Sequence, residues 1–107
     1  MKVNIGGSVY DVKVKPVDEV NSILSSRSDI GECAGFCDFM NEQIYVAKEY
    51  PSESKKKILL HEIVHAMLVE IGSQLNDDEY FVDALSRQLY TFVSKNNVGK
   101  IFDFITK

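Results

Sequence analysis

Residues 58–71 of the 107-residue chain read ILLHEIVHAMLVEI, an apolar segment that contains His61, Glu62 and His65. On a helix with 3.6 residues per turn, the two histidines lie one turn apart on the same face, with Glu62 beside them. Two imidazoles at this spacing can bind one metal ion, and a neighbouring carboxylate can accept a proton from water that the ion acidifies. The segment therefore predicts a helix that carries a zinc site and a general base.

The helix is predicted to begin near Pro51-Ser52, with Ser52 as its N-cap, and to end at Gly72 in the C′ position. Its apolar positions cover most of its circumference, so we expect it to be largely buried. Polar groups in a buried helix are costly without partners, and a metal ion would be such a partner. His61 and His65 are the two histidines of the chain. The alternative interpretation is that HExxH occurs here by coincidence on an amphipathic helix.

A second helix is predicted after the turn at residues 73–78, with Asn76 as its cap. Glu79 and Asp83 lie one turn apart on it, where an antiparallel partner helix could bring them to the two histidines. A catalytic zinc site has three protein ligands and one open position, so Glu79 is the candidate third ligand. Asp83 is expected to accept the other ring N–H of a ligating histidine, or to replace Glu79 as ligand if the two roles are reversed. The alternatives are a capping box between Asn76 and Glu79 and a solvated carboxylate at Asp83.

The N-terminal part of the chain has the pattern of a small β-structure. Alternating residues around Gly6-Gly7 predict a hairpin over residues 2–15, and Pro16 is expected to end its second strand. Apolar residues at helical spacing predict a short helix over residues 17–26. Residues 27–38 are predicted to form a loop or an irregular strand.

A second hairpin is predicted between Phe39 and Ala47, with its turn at Asn41-Glu42. Ile44-Tyr45-Val46 is a strong strand candidate, because β-branched and aromatic residues favour strands. This strand immediately precedes the proposed metal helix. It is either an ordinary sheet strand or an exposed edge, and an exposed edge could hold an extended peptide over the metal.

The C-terminal residues Ile101, Phe102, Phe104 and Ile105 form a short apolar segment after Gly99. We expect it to dock on the core as a last helical turn or two. The alternative is a surface patch that binds a partner.

Composition limits the class of protein. Apolar residues make up 45% and charged residues 26% of the chain, which is ordinary for a folded soluble protein, and residues 1–107 are expected to form one domain. The net charge of −4 argues against nucleic acid as a partner. No apolar run is long enough to cross a membrane, and residues 1–6 do not form the apolar h-region of a signal peptide, so we expect no membrane association and a cytoplasmic location. Cys33 and Cys37 are then expected to be free thiols.

The runs LHEIVHAM at residues 60–67 and DEYFVDAL at residues 78–85 resemble small phage and bacterial metallopeptidase-like proteins of the gluzincin type, related to the ImmA/IrrE family. The resemblance covers about half of the chain. It implies a minimal zincin-like domain in the α+β class, in which the HExxH helix packs on the following ligand-bearing helix. It further implies zinc ligation by His61, His65 and Glu79, general-base catalysis by Glu62, and support of a histidine by Asp83.

The resemblance implies hydrolysis of a peptide or protein substrate, in the cytoplasm of a bacterium or of a phage-infected host. The chain is far shorter than typical secreted gluzincins, so we expect it to have no subsite-forming second domain. Tyr45, Tyr80 and Tyr90 are equally eligible as the residue that stabilises the oxyanion. Two alternative functions stay open: a non-catalytic zinc domain that binds a regulatory protein partner, and a metal-free interaction module in which the histidines are hydrogen-bonded to Glu79 and Asp83.

Overall fold

A computed structural model describes residues 1–25 and 34–107 of the chain. Within these residues the strands are β1 (Lys2–Ile5), β2 (Ser8–Lys15), β3 (Gly35–Asp38) and β4 (Gln43–Ala47), and the helices are α1 (Val17–Ser25), α2 (Ser52–Glu70), α3 (Glu79–Lys95) and α4 (Val98–Ile105). A 3₁₀ turn, Gln74–Asp77, joins α2 to α3. The predictions for residues 26–33, including Cys33, lie outside the described residues.

The four strands form one mixed sheet in the order β1-β2-β4-β3. The first hairpin is confirmed, since β1 and β2 pair antiparallel with Ile5 opposite Ser8, and Gly6 adopts the positive φ of 61° that its turn requires. β2 and β4 pair parallel. A parallel pair needs a long crossover connection, and α1 lies in that connection.

The second hairpin is also confirmed, with antiparallel pairing between β3 and β4, but its first strand ends at Asp38 instead of beginning at Phe39. The Asp38 carboxylate accepts hydrogen bonds from the backbone N–H and the side-chain amide of Asn41, and these bonds close the turn. Of the two alternatives for the strand before α2, the exposed edge strand is wrong. β4 is paired on both sides, and β3 is the edge strand beside it.

β4 explains how the sheet is covered on both faces. Side chains of a strand alternate between the faces, and Ile44 and Val46 pack with Ile5, Tyr10 and the α2 residue Ala66. Tyr45 and Ala47 point the other way and pack against Val20 of α1. Residues 44–47 are therefore all buried, the pattern of a strand between two helical layers.

The central helix α2 begins and ends near the predicted residues, with one correction. Ser52 is the first helical residue and not the N-cap; Pro51 occupies the cap position, and no side chain caps the helix. At the other end Gly72 has a φ of 72°, as expected for a C′ glycine. Glu70, in the last turn, accepts a hydrogen bond from the backbone of Gly7 at 3.1 Å, which fastens the first hairpin to α2.

α3 packs along α2 through a smaller cluster in which Val64 and Leu68 meet Val82, with Phe81 and Leu89 beside them. This contact does not extend along the whole of α3, because Phe92 and Val93 near its end are about half exposed.

α4 corrects the prediction for the C-terminal segment. Residues 101–105 do form a helix, but none of its residues is buried, and Phe104 is 78% exposed. Residues 91–97, which lead from the end of α3 into α4, are themselves exposed, so α4 begins away from the buried core.

The described residues thus form an α+β fold, a small mixed sheet between α1 and α2 with α3 outside α2. Among them, no helix combines the length and the apolar character needed to cross a membrane.

Candidate metal centre

α2 holds His61 and His65 on one face, one turn apart, with their ring centroids separated by 5.0 Å. The helix is fixed on both sides of this face, because Ile58, Leu59 and Ile63 pack against the sheet and Val64 and Leu68 pack against α3. The histidine side chains are 22% and 12% exposed, respectively. Both imidazole rings face the groove between the edge strand β3 and the start of α3.

Glu79 reaches both histidines from the first residue of α3. Its Oε2 lies 3.1 Å from Nε2 of His61, and its Oε1 lies 2.9 Å from Nε2 of His65. The side chain of Asp78 caps α3 by accepting a hydrogen bond from the backbone of Phe81. Asp78 therefore takes the role predicted for Asn76, and the capping-box interpretation of Glu79 is wrong.

The three residues suit a divalent metal ion. One ligand atom from each of His61, His65 and Glu79 lies within 4.8 Å of the others. Two ligand atoms that bind one zinc ion tetrahedrally at about 2.0–2.1 Å stand about 3.3 Å apart. The two observed nitrogen–oxygen distances are close to this value, and two imidazoles with one carboxylate are a frequent catalytic zinc set.

Asn76 gives the strongest indication of how His65 is oriented. Its Oδ1 lies 3.0 Å from Nδ1 of His65, and its amide group is directed to Asp77 at 3.5 Å. An amide oxygen accepts hydrogen bonds only, so this contact favours the His65 tautomer in which Nδ1 carries the proton. In the neutral ring, the lone pair of Nε2 then faces the Glu79 carboxylate, and two such acceptors at 2.9 Å repel each other unless a cation lies between them. A proton or a metal ion satisfies this condition.

Asp83 lies beside the other histidine. Its Oδ1 is 3.7 Å from Nδ1 of His61, so it approaches the ring nitrogen expected from the sequence at a distance longer than a hydrogen bond. Its other oxygen forms an ion pair with Arg87 at 2.9 Å. The structure therefore brings Asp83 next to His61, whereas Asn76 is hydrogen-bonded to His65.

Glu62 is the buried carboxylate of the site, with 8% of its surface exposed. Burial raises its pKa to about 7, an effect that the nearby Glu79 carboxylate increases and His65 opposes. A carboxylate with a pKa in this range exchanges protons readily near neutral pH. Its position next to both histidines suits a group that moves a proton.

Two clefts meet at these residues, and both are lined by Gly35, His61 and Glu62. The α3 cleft has a volume of about 620 Å³ and continues past Lys57, Asp83, Arg87 and Tyr90. The β3 cleft has a volume of about 720 Å³ and continues past Phe36, Phe39, Asn76 and Asp77. An extended molecule bound along both clefts would pass over the histidines and Glu62.

The three candidate tyrosines differ in position. Tyr90 lines the α3 cleft together with His61 and Glu62, and its hydroxyl donates a hydrogen bond to Glu53. Tyr45 is buried against α1, with its hydroxyl bonded to Gln43, and Tyr80 is 86% exposed. Of the three, Tyr90 shares a cleft with the proposed base.

Cys37 lines the β3 cleft. Burial raises the pKa of its thiol above the usual range, and the carboxylates of Glu62 and Asp38 raise it further. The thiol is therefore protonated and unreactive at neutral pH, in agreement with its prediction as a free thiol.

Sequence reasoning missed Asn76 as a partner of His65, and it missed Lys57 and Arg87 as cleft residues. Asn76 precedes a helix, where an asparagine predicts a cap, and no local pattern distinguishes a cap from a contact across the turn. Lys57 belongs to a basic run that predicts a solvated helix face. Its spacing of four residues before His61 is the one signal that places it on the same side of α2 as the site.

Comparison with models of known protein families, with curated proteins and with solved structures finds no match to this chain.

Proposed function

We propose that the protein is a zinc-dependent peptide hydrolase with a minimal zincin-like domain. The observation that carries this proposal is the convergence of Nε2 of His61, Nε2 of His65 and the Glu79 carboxylate, beside buried Glu62 and at the junction of two clefts. The resemblance of residues 60–67 and 78–85 to gluzincin-type proteins supports the same function.

His61, His65 and Glu79 would hold the zinc ion, and Asn76 would keep the His65 ring in the orientation that presents Nε2. Bound zinc supplies a Lewis acid that polarises a carbonyl group and lowers the pKa of water. Glu62 then accepts the proton of the attacking water and passes it to the leaving amine. The burial of Glu62, which raises its pKa to about 7, gives it the basicity that this transfer requires.

The edge of β3 offers a way to hold the substrate. The backbone N–H of Ala47 bonds to the carbonyl of Ala34, and narrow and wide pairs alternate along an antiparallel ladder. With Gly35 opposite Val46 and Cys37 opposite Ile44, the backbone groups of Gly35 and Cys37 therefore point away from β4. An extended peptide could pair with them by β-augmentation, in line with the role that the sequence suggested for a neighbouring strand.

Gly35 also brings this edge close to α2. A Cβ at position 35 would lie 2.7 Å from the side chain of Ile58 and 2.6 Å from the carbonyl oxygen of Tyr45, so a larger residue would push β3 away from the helix. The close approach supports a substrate position directly beside His61, which lies one turn beyond Ile58. Tyr90, on the opposite wall, becomes the candidate donor to the oxyanion once its hydroxyl releases the Glu53 carboxylate.

The test is hydrolysis of a peptide library by the zinc-loaded protein, compared among three variants. Glu62→Gln is expected to bind zinc as the wild type does but to hydrolyse peptides about 10²–10⁴-fold more slowly, because it lacks the general base. His61→Ala is expected to lose both zinc and activity. Gln88→Ala, an exposed position on α3, serves as the control that keeps both. Full activity in Glu62→Gln would refute the assigned role.

A second candidate is a non-catalytic zinc domain that binds a regulatory protein partner. The exposed apolar helix α4 favours it, since Phe102, Phe104 and Ile105 are each at least 60% exposed and surfaces of this kind often bind other proteins. The fourth coordination position separates the two functions. A position open to water supports hydrolysis, whereas a position filled by a protein ligand supports a structural role.

A further inference from the structure

The two clefts that meet at the metal centre differ in charge. The α3 cleft contains the cations of Lys57 and Arg87 and the anion of Asp83. The β3 cleft contains the anions of Asp38 and Asp77 beyond the metal-centre residues, and no cation lines it among the described residues. Among the described residues that line the groove, the Lys and Arg side chains therefore lie at its α3 end.

Lys57 is the cation best placed to bind a ligand. Its ammonium group lies 5.3 Å from the centre of the Tyr90 ring, a cation–π distance that holds it over the α3 cleft. Within residues 1–25 and 34–107, no carboxylate lies within 4.0 Å of this ammonium group. Glu53, whose pKa Lys57 helps to lower, is engaged by Lys56 and Tyr90, so the Lys57 ammonium group can still bind an anion that enters the cleft.

Arg87 lies on the other wall of the same cleft. One of its guanidinium nitrogens forms an ion pair with Asp83 at 2.9 Å, and its side chain is 76% exposed. A guanidinium group has five N–H donors, so the contact with Asp83 orients Arg87 while donors remain for a second carboxylate. Lys57 and Arg87 line the same cleft, and each can offer N–H donors to a carboxylate bound there.

The direction of β3 indicates which end of a bound peptide lies in the α3 cleft. β3 begins at Gly35, which lines both clefts, and runs along the β3 cleft as far as Asp38. Antiparallel strand pairs are more frequent and more stable than parallel ones. A peptide paired antiparallel to β3 therefore runs from the β3 cleft to the α3 cleft, and its C-terminal part reaches Lys57 and Arg87.

We infer that Lys57 and Arg87 form a subsite for a carboxylate on the C-terminal side of the substrate, an inference that rests on the proposed peptide-hydrolase function. The carboxylate is either an Asp or Glu side chain or the free C-terminus of the peptide. A carboxylate at the opposite end of the groove is repelled by Asp77, which lines that end. The charge distribution thus selects both the composition and the direction of the substrate.

The test is a binding experiment on the zinc-loaded Glu62→Gln variant, which does not consume its ligand. Fluorescently labelled nonapeptides, acetylated and amidated, carry one Glu at successive positions in a Gln- and Leu-containing sequence, and fluorescence anisotropy gives each dissociation constant. A peptide without Glu provides the baseline. The same sequence without Glu but with a free C-terminus separates a terminal carboxylate from a side-chain carboxylate.

A carboxylate in the C-terminal half is expected to tighten binding about threefold to tenfold, the range for a charge-assisted contact at an accessible site. The gain should disappear when Lys57→Gln or Arg87→Gln is added, and it should persist in Lys55→Gln, which removes the same charge from the opposite side of α2. Adding Lys57→Glu should reverse the preference in favour of peptides that carry Lys at the same positions.

Binding that does not depend on the position of Glu, or a gain that survives Lys57→Gln, would overturn the inference, as would the absence of binding by every peptide. Hydrolysis by the wild-type protein is measured in parallel. Hydrolysis without a carboxylate preference would refute the subsite alone. A carboxylate preference without hydrolysis would refute the proposed function and leave the subsite standing.

Discussion

Replacing Asn76 with alanine tests whether this residue orients a metal ligand. The substitution removes the oxygen that accepts the Nδ1–H bond of His65 at 3.0 Å. The His65 side chain is 12% exposed, so its Nδ1–H would be left with restricted access to water. The ring would then be free to rotate away from the position in which Nε2 faces Glu79.

The size of the effect follows from the lost hydrogen bond. Leaving a buried donor without a partner costs about 1–3 kcal/mol, and about 1.4 kcal/mol corresponds to tenfold in an equilibrium constant. Substitutions of residues that support a metal ligand weaken metal binding about 10–100-fold. Because some water reaches His65, we expect Asn76→Ala to weaken zinc binding about tenfold, towards the lower end of that range.

Competition with a chromophoric chelator measures the zinc affinity of each variant. Asn76→Asp keeps an acceptor oxygen and should bind zinc within about threefold of the wild type. Gln74→Ala, an exposed residue in the same 3₁₀ turn, is the matched control and should not change the affinity. If Asn76→Ala binds zinc as tightly as the wild type and folds normally by circular dichroism, Asn76 does not orient His65 for the metal.

Three further expectations concern the rest of the molecule. Gly35→Ala places a Cβ 2.6 Å from the carbonyl oxygen of Tyr45 and should lower the free energy of unfolding by about 1–3 kcal/mol; unchanged urea denaturation would contradict the close approach of β3. In a Cys33→Ala background, Cys37 should react slowly with iodoacetamide at pH 8 and rapidly in urea, because burial raises its pKa; rapid reaction of the folded protein would show that it is accessible. Deletion of residues 98–107 should leave zinc affinity within about twofold and change the unfolding temperature by only a few degrees, since no residue of α4 is buried; a large loss by differential scanning calorimetry would mean that α4 supports the core.

Several elements of the fold follow from local sequence patterns. Gly6 permits the turn of the first hairpin, Ile44–Val46 form a strand because their side chains suit a pleated surface, and the apolar positions of residues 58–71 make a buried helix. The approach of Glu79 to the histidines also follows, because a short connection forces two antiparallel helices together. These features depend on spacing along the chain, which the sequence displays directly.

Other features depend on contacts between distant segments. The parallel pairing of β2 with β4, which makes β3 the edge strand, is fixed by the crossover connection, and strand composition does not encode it. Asn76 has the sequence context of a cap, but Asp78 caps α3 and leaves Asn76 for His65. α4 has an amphipathic pattern typical of a docked helix, and whether surface remains for it to pack against depends on where α3 ends relative to the core.

The central claim is that His61, His65 and Glu79 bind one metal ion. It is tested most directly by the zinc content of the protein after purification without added metal, measured by elemental analysis beside the His61→Ala variant. We expect about one zinc ion per chain in the wild type, as three protein ligands with an open position require, and a small fraction of that in the variant. Equal zinc content in both proteins, or no zinc in the wild type even after zinc is added, would contradict the claim and favour a metal-free interaction module.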